Sequence, residues 1–313
     1  MPAYILGRLA AAIPTLLLVS VFIFLLVHLA PGDPALLIAG DNASPAQVEQ
    51  IRQRLHLDQS LPAQFVIWFS DAVRLDLGAS VYSGKPVTEL IAQRIEPTFM
   101  LAAYTMVLTV LVAIPLGTIA AWRANGLVDR IIMAFSVAGF SVPVFATSYL
   151  LVYLFAVKAR WFPVQGYKPL SDGIWATLVS LTLPSVALML VFAALIARVT
   201  RAAVLEVLQE NFVRTLKAKG MGTGRILAVH VLKTAGVPIV TVIGIGFAAL
   251  IGGVVVTESV FNIPGIGRLT VDAIVRRDYP VVQGIILFFS VTLILINLIV
   301  DLSYALFDPR VRG

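Results

Sequence analysis

The sequence predicts an all-α membrane protein with six transmembrane helices and both termini on the inner side. Three observations carry that prediction. The 313 residues are 59% hydrophobic and 13% charged, about half the ~25% charge of a soluble domain. A soluble core of this size has no polar coat to draw on, so a water-soluble enzyme is excluded. The few charges leave six long gaps, and the basic residues divide unequally between the segments that join them.

The gaps run Leu9–Asp33, Pro97–Trp122, Ile131–Val157, Gly173–Ala197, Thr234–Thr257 and Tyr279–Val300. Each offers the ~20 residues needed to cross ~30 Å of hydrocarbon. The first keeps 22 apolar or mildly polar residues, Leu9 to Ala30, before Pro31-Gly32-Asp33-Pro34 stops it. That exceeds the ~7–15 residues of a signal-peptide core, and His28 occupies the small-residue position a cleavage site needs. It reads as a retained helix. Pro14, Pro115, Pro143 and Pro184 fall inside spans, as do Gly244 with Gly246 and Gly252 with Gly253. Small residues let helices pack closely in lipid, whereas Pro143 in Ser141-Val142-Pro143-Val144-Phe145 is equally suited to bending a helix beside a water-filled path.

Orientation follows from Lys and Arg in the short loops. With the N-terminus inside, the inner segments hold twelve: Arg8, Arg123, Arg130, seven from Arg198 to Lys233, Arg310 and Arg312. The two short outer loops hold six: Lys158, Arg160, Lys168, Arg268, Arg276 and Arg277. The chain then divides into a first span (1–30), an external helical segment (31–98) and a core (99–313) with five spans and an inner loop, 198–233.

In the external segment, Ser44-Pro45-Ala46-Gln47 has the pattern of a capping box with Pro at the first helical position. Val48, Ile51 and Leu55 follow as an apolar stripe. A second helix is expected around Phe65, Trp68 and Phe69, and a third around Val87, Leu90 and Ile91, ending where the chain re-enters at Pro97. Their apolar faces need a cover, either neighbouring helix ends or another protein. In the inner loop, Leu205, Leu208, Phe212 and Leu216 recur at helical spacing, among Arg201, Arg214, Lys217 and Lys219. This is either a helix on an anionic membrane surface or a docking helix for an inner partner.

No catalytic or metal chemistry is legible. There is no Cys, and His28, His56 and His230 are scattered. Gly220-x-Gly222-x-Gly224 lacks the strand and spacing of a phosphate loop; if the chain serves ATP-driven transport, another subunit must hydrolyse the ATP. Glu258 and Asp301 sit at span ends and the span interiors hold only uncharged polar groups such as His28 and Asn297, which argues against a proton pump. Ser141, Pro143, Glu258 and Asn297 are the residues expected along a translocation path.

Several segments together resemble the membrane permeases of ABC importers for dipeptides, oligopeptides, glutathione and nickel. Leu29-Ala30-Pro31-Gly32-Asp33-Pro34 is similar to the family's segment after its first helix. Leu55-His56-Leu57-Asp58-Gln59 is similar to its L-G-L-D stretch, with His56 for Gly, and Leu77-Gly78-Ala79-Ser80 to the segment before its second helix. Phe261-Asn262-Ile263-Pro264-Gly265-Ile266-Gly267-Arg268 with Arg277-Asp278-Tyr279-Pro280 is similar to the stretch between spans five and six, and Tyr304 through Asp308-Pro309-Arg310 to the C-terminal ending. Phe212-Val213-Arg214-Thr215-Leu216-Lys217-Ala218-Lys219-Gly220 resembles the E-A-A-x-x-x-G coupling loop, with Arg214-Thr215-Leu216 for E-A-A and Gly220 retained. The later I-x-L-P falls on His230-Val231-Leu232-Lys233, which keeps the Leu and loses the Pro.

The resemblance implies a type I ABC importer permease fold, similar to that of the methionine importer, in a bacterial inner membrane. It implies a homologous second permease, two ATPase subunits that carry ATP and Mg, an external binding protein, and no cofactor on this chain. Leu205, Leu208, Phe212 and the run from Arg214 to Gly220 would form the ATPase-coupling element, with Gly220 turning the chain out of the helix. The gross pattern favours a peptide or glutathione over nickel, whose soft or imidazole ligands are absent. A secondary carrier would work in liposomes without ATPases, an intramembrane enzyme would show hydrolysis by the isolated chain, and an anchoring subunit would show no substrate-dependent ATPase in any complex.

Overall fold

The computed structural model describes residues 2–29, 35–36, 44–54 and 57–307. The readings at Ala30–Pro34, at Leu55 and His56 and at Asp308–Arg310 lie outside the described residues, as do the side chains of His28 and Ile51. The described chain is helical, with one isolated bridge between Ala79 and Pro86. In chain order the helices are α1 (Pro2–Leu29), α2 (Pro45–Arg54), α3 (Leu61–Val73), α4 (Val87–Trp122), α5 (Leu127–Ser141) and α6 (Val144–Leu151), which runs on as a π-helix (Val152–Lys158). Then come α7 (Ile174–Leu208), α8 (Asn211–Ala218), α9 (Gly236–Gly253), α10 (Val255–Val260), α11 (Ile266–Val275) and α12 (Tyr279–Phe307).

Among the described residues, four helices are long and apolar enough to cross a membrane: α4, α7, α9 and α12. The helices α5 and α6 pass the same test only when taken together, as a pair bent by 99° at the break. Of the two roles open to Pro143 within Ile131–Val157, close packing or a bend, the structure shows the bend. The cause is local: the residue before a proline is pushed out of the helical region, and Val142 is extended (φ −89°, ψ 127°), as is Pro143 (φ −58°, ψ 136°). Pro97, Pro115 and Pro184 lie inside continuous helices. Pro97 corrects a second expectation, since Val87, Leu90 and Ile91 open the 36-residue α4 instead of forming a separate external helix. The lost backbone hydrogen bond is outweighed by packing, with Thr98, Leu101 and Ala102 fully buried just beyond it.

The chain divides into two compact units, one of Pro2–Ile95 with Arg268–Ile294 and the other of Glu96–Gly267 with Leu295–Gly313. In the first, the capping box forms: Ser44 N–H donates to Gln47 Oε1 at 2.8 Å, and Gln47 N–H to Ser44 Oγ at 3.4 Å. The aromatic face of α3 covers α1, with Phe24 5.5 Å from Phe65 and 6.1 Å from Trp68 between centroids. Asp278, buried, accepts from Ser80 Oγ at 2.5 Å and from Val81 N–H at 3.1 Å, and Arg276 lies 4.0 Å over the Tyr82 ring. Gly284 of α12 sits against Val87 so closely that a Cβ would lie 2.5 Å from Val87 Cγ1.

The second unit is organised around α7. Its 35 residues span ~52 Å at ~1.5 Å each, well beyond the hydrocarbon thickness. Arg198–Leu208, expected within the loop 198–233, thus prolongs the span as a rigid rod. Close approach to its neighbours needs glycine: a Cβ on Gly117 of α4 would lie 2.5 Å from Ala197 O, and one on Gly139 of α5 2.8 Å from Leu190 O.

Candidate functional site

The end of α7 and the short helix α8 meet at a corner. The expected single stripe through Leu205, Leu208, Phe212 and Leu216 is corrected: α7 ends at Leu208, Glu210 is extended (φ −65°, ψ 146°), and α8 starts at Asn211. Both parts of the stripe still serve one cluster. Its buried members are Ala121 of α4, Ala203, Val204 and Val207 of α7, Val213 of α8, Ile226, Leu227 and Val231 of the following π-helix, then Ala235 and Ile239. Leu205, Leu208, Phe212, Leu216 and Met221 pack around it. Val213 is fully buried and is the anchor that the spacing argument missed, because it stands beside the expected stripe.

An eight-residue helix is too short to hold itself in water, so α8 exists by packing through Phe212, Val213 and Leu216. Its other face is free: Arg214, Thr215, Lys217, Ala218, Lys219 and Gly220 are exposed. Its end is a Schellman motif. Gly220 N–H donates to Lys217 O at 2.9 Å, and Met221 N–H to Leu216 O at 3.1 Å. Gly220 has φ +77°, where a Cβ crowds its own backbone, although open space surrounds it. The chain leaves through a turn at Thr223–Arg225, the π-helix Ile226–Val231 and a turn at Leu232–Thr234, then enters α9. Helix α8 thus packs on α4, α7 and α9 through one cluster.

A helix lying on lipid buries its apolar face in the headgroup boundary, but the apolar face of α8 is already spent on its own chain. What remains outward is basic, with the small Thr215 and Ala218 between the cations.

The four expected path residues occupy different elements. Ser141 and Pro143 flank the bend and are exposed, Ser141 Oγ donating to Val137 O at 2.8 Å. Asn297 is exposed on α12. Glu258, by contrast, is fully buried within its unit. It accepts from Thr98 Oγ1 at 2.7 Å, and Thr98 Oγ1 accepts Ile266 N–H at 2.8 Å. Gly265 and Gly267 close over it, and a Cβ on Gly265 would overlap the carboxylate. Glu258 is a strut within the fold, with no exposed surface to offer a path.

In the same unit, Tyr167 Oη donates to Glu96 Oε1 at 2.7 Å, and Leu170 N–H donates to the same oxygen at 2.8 Å. Burial first, and the Glu96 carboxylate second, hold the Tyr167 phenol above its ordinary range.

Comparison with known proteins accords with this architecture. Residues 113–313 match the family described as binding-protein-dependent transport system inner membrane component, and residues 1–102 match its N-terminal companion. The chain is 52% identical over 312 residues to the "Probable peptide ABC transporter permease protein" of Sinorhizobium fredii, covering 100% of both. It is 45% identical over 309 residues to the glutathione transport system permease protein of Escherichia coli K12, covering 99% of this chain and 98% of the other. Among solved structures, the MetNI methionine ABC transporter in an inward-facing conformation aligns with a TM-score of 0.58 at 17% identity, over 70% of this chain and 96% of that one. The fold is that of a type I ABC importer permease, and the chain belongs to the binding-protein-dependent transport system inner membrane component family.

Proposed function

We propose that this member of the family is one permease of an ATP-driven importer of a peptide-type solute, a short peptide or glutathione. It pairs with a homologous permease to enclose the path. An external binding protein delivers the solute, and two ATPase subunits, which carry the ATP and Mg, seat α8 in a groove. The chain itself supplies no cofactor and no hydrolytic chemistry. It lies in the inner membrane with six spans, α1 being the first, and with both termini and α8 on the cytoplasmic side.

The observation that carries this reading is the division of α8 into an apolar face held by its own chain and a free basic face beside the Schellman turn. Closing of the ATPases on ATP moves α8, and the cluster passes that movement to α4, α7 and α9. The transporter is then a two-state system biased by nucleotide. The substrate class rests on the names of the relatives and on the lack of soft or imidazole ligand clusters in the sequence.

The chain has no Cys, so a Lys217→Cys variant carries a single thiol. An impermeant thiol reagent is expected to label it in inverted vesicles and not in intact cells, and an ATPase subunit is expected to shield it in the assembled complex. Labelling from the outside overturns both the orientation and the docking role.

A further inference from the structure

The bent span α5–α6 makes no contribution to the cluster that holds α8, yet it is fastened to the same rod. Asp129, in the first turn of α5, is buried and faces Arg201 of α7. Arg201 Nε donates to Asp129 Oδ1 and Nη2 to Oδ2, both at 2.6 Å. Asn125 N–H adds a third bond to Oδ2 at 2.9 Å, so the turn between α4 and α5 is built around the same carboxylate. Arg201 stands two residues before Ala203 and three before Val204, which belong to the cluster under α8.

Along the rest of their length α5 and α7 are held by shape alone. Gly139 lies against Leu190, and a groove of about 670 Å³ opens between α4, α5, α6 and α7, lined by apolar groups such as Leu116, Phe135, Ala146 and Ala194. In lipid there is no hydrophobic force to fix one helix against another. A planar guanidinium on both oxygens of a carboxylate fixes direction as well as distance.

We propose that Asp129 and Arg201 are positioning residues for transport: their ion pair makes the bent span α5–α6 move as one body with α7 when α8 is displaced. The proposal rests on the reading of α8 as the ATPase-docking helix. Without the pair, α8 still seats and ATP is still hydrolysed, but the bend at Val142 and Pro143 no longer follows.

The test uses the full chain in its complete complex, reconstituted with the binding protein. Wild-type complex comes first: ATP-driven uptake there, lost on Gly220→Val, establishes the docking role, and its absence overturns that reading and the proposal together. Given an active wild type, Asp129→Asn is expected to retain ATPase while uptake per ATP falls on the order of tenfold. The exchange Asp129→Arg with Arg201→Asp is expected to recover most of the loss. Should Asp129→Asn fail to assemble, Arg201→Lys keeps the charge but loses the two-pronged geometry, and is expected to show the same split. Spin labels at Leu127 and Gln209 are expected to keep their separation between nucleotide-free and nucleotide-bound states in wild type, and to shift by ~2 Å or more in Asp129→Asn. An unchanged uptake-to-ATP ratio in the single variants, or a wild-type separation that itself changes with nucleotide, overturns the tie and leaves the docking role standing.

Discussion

Gly220 offers a perturbation whose cost can be worked out almost entirely from the backbone. Its φ is +77° and an added Cβ meets nothing within 4 Å, so a substitution there is felt as local strain and not as collision with a neighbour. Alanine in this region costs about 1–2 kcal/mol. Asparagine visits it several-fold more readily than most residues and should cost less than ~1 kcal/mol. A β-branched valine is the least tolerated. The alternative to bearing the strain is to release the turn, which forfeits the bonds from Gly220 and Met221 to Lys217 and Leu216, about 1 kcal/mol each. Either way, 1–2 kcal/mol shifts the population of the capped helix by a factor of ~5–30.

The assay is uptake and ATPase in reconstituted complexes carrying Gly220→Asn, Gly220→Ala and Gly220→Val, with assembly checked by co-purification. Uptake per ATP is expected to decline in the order Asn, Ala, Val while membrane insertion is unchanged. Asparagine and valine are similar in bulk, so the order itself is diagnostic. Equal impairment by the two would show that a side chain blocks a partner and that the turn is not the cause. Wild-type coupling in Gly220→Val would refute the role of the turn altogether.

Two further predictions concern the rest of the fold. Gly284→Ala is expected to lower the thermal stability of the purified chain by the 1–3 kcal/mol typical of overpacking, because its Cβ meets Val87 at 2.5 Å, and Val87→Ala in the same chain should recover part of that loss. The Tyr167 phenol is raised by burial and by Glu96, so its bond to the carboxylate is fully present below the ordinary tyrosine range and is lost only as pH rises through the higher folded value. Phenolate absorbance of the folded chain compared with Tyr167→Phe reads this directly, and one tyrosine is expected to titrate late.

Local features were legible in the sequence where their cause is local. The absence of charge located the four long apolar helices and the bent pair α5–α6, Ser44 and Gln47 announced their capping box, and Phe65, Trp68 and Phe69 announced α3. Prolines show the limit of such reading. Pro97 and Pro143 are the same residue inside apolar runs, yet α4 continues through one and the span breaks at the other, because burial of Thr98, Leu101 and Ala102 outweighs a missing hydrogen bond. The stripe at α8 failed differently. Helical spacing persists across the corner at Gln209 and Glu210 because both helices face one cluster, so periodicity alone reports a single helix. Pairs distant in sequence were not legible at all. Leu77–Ser80 and Arg277–Pro280 were each noticeable as motifs, but nothing in either tells that Ser80 meets Asp278.

Those distant pairs share a physical logic. Among the described residues, the buried charged side chains are Asp129, Glu258 and Asp278, in a chain with 17 acidic residues. Burying a carboxylate is costly unless hydrogen bonds replace its water, and each of the three is answered by donors far along the chain: Arg201, Thr98, and Ser80 with Val81. Each also stands in the first turn of a helix or immediately before one, where the positive end of the helix dipole favours a carboxylate. Apolar packing in lipid sets no register, because the surrounding chains are as apolar as leucine. A directional bond placed at a helix end does set it, and leaves the span between free to tilt. The three buried carboxylates among the described residues thus stand at the ends of helices, where each ties its helix to a segment distant in the chain.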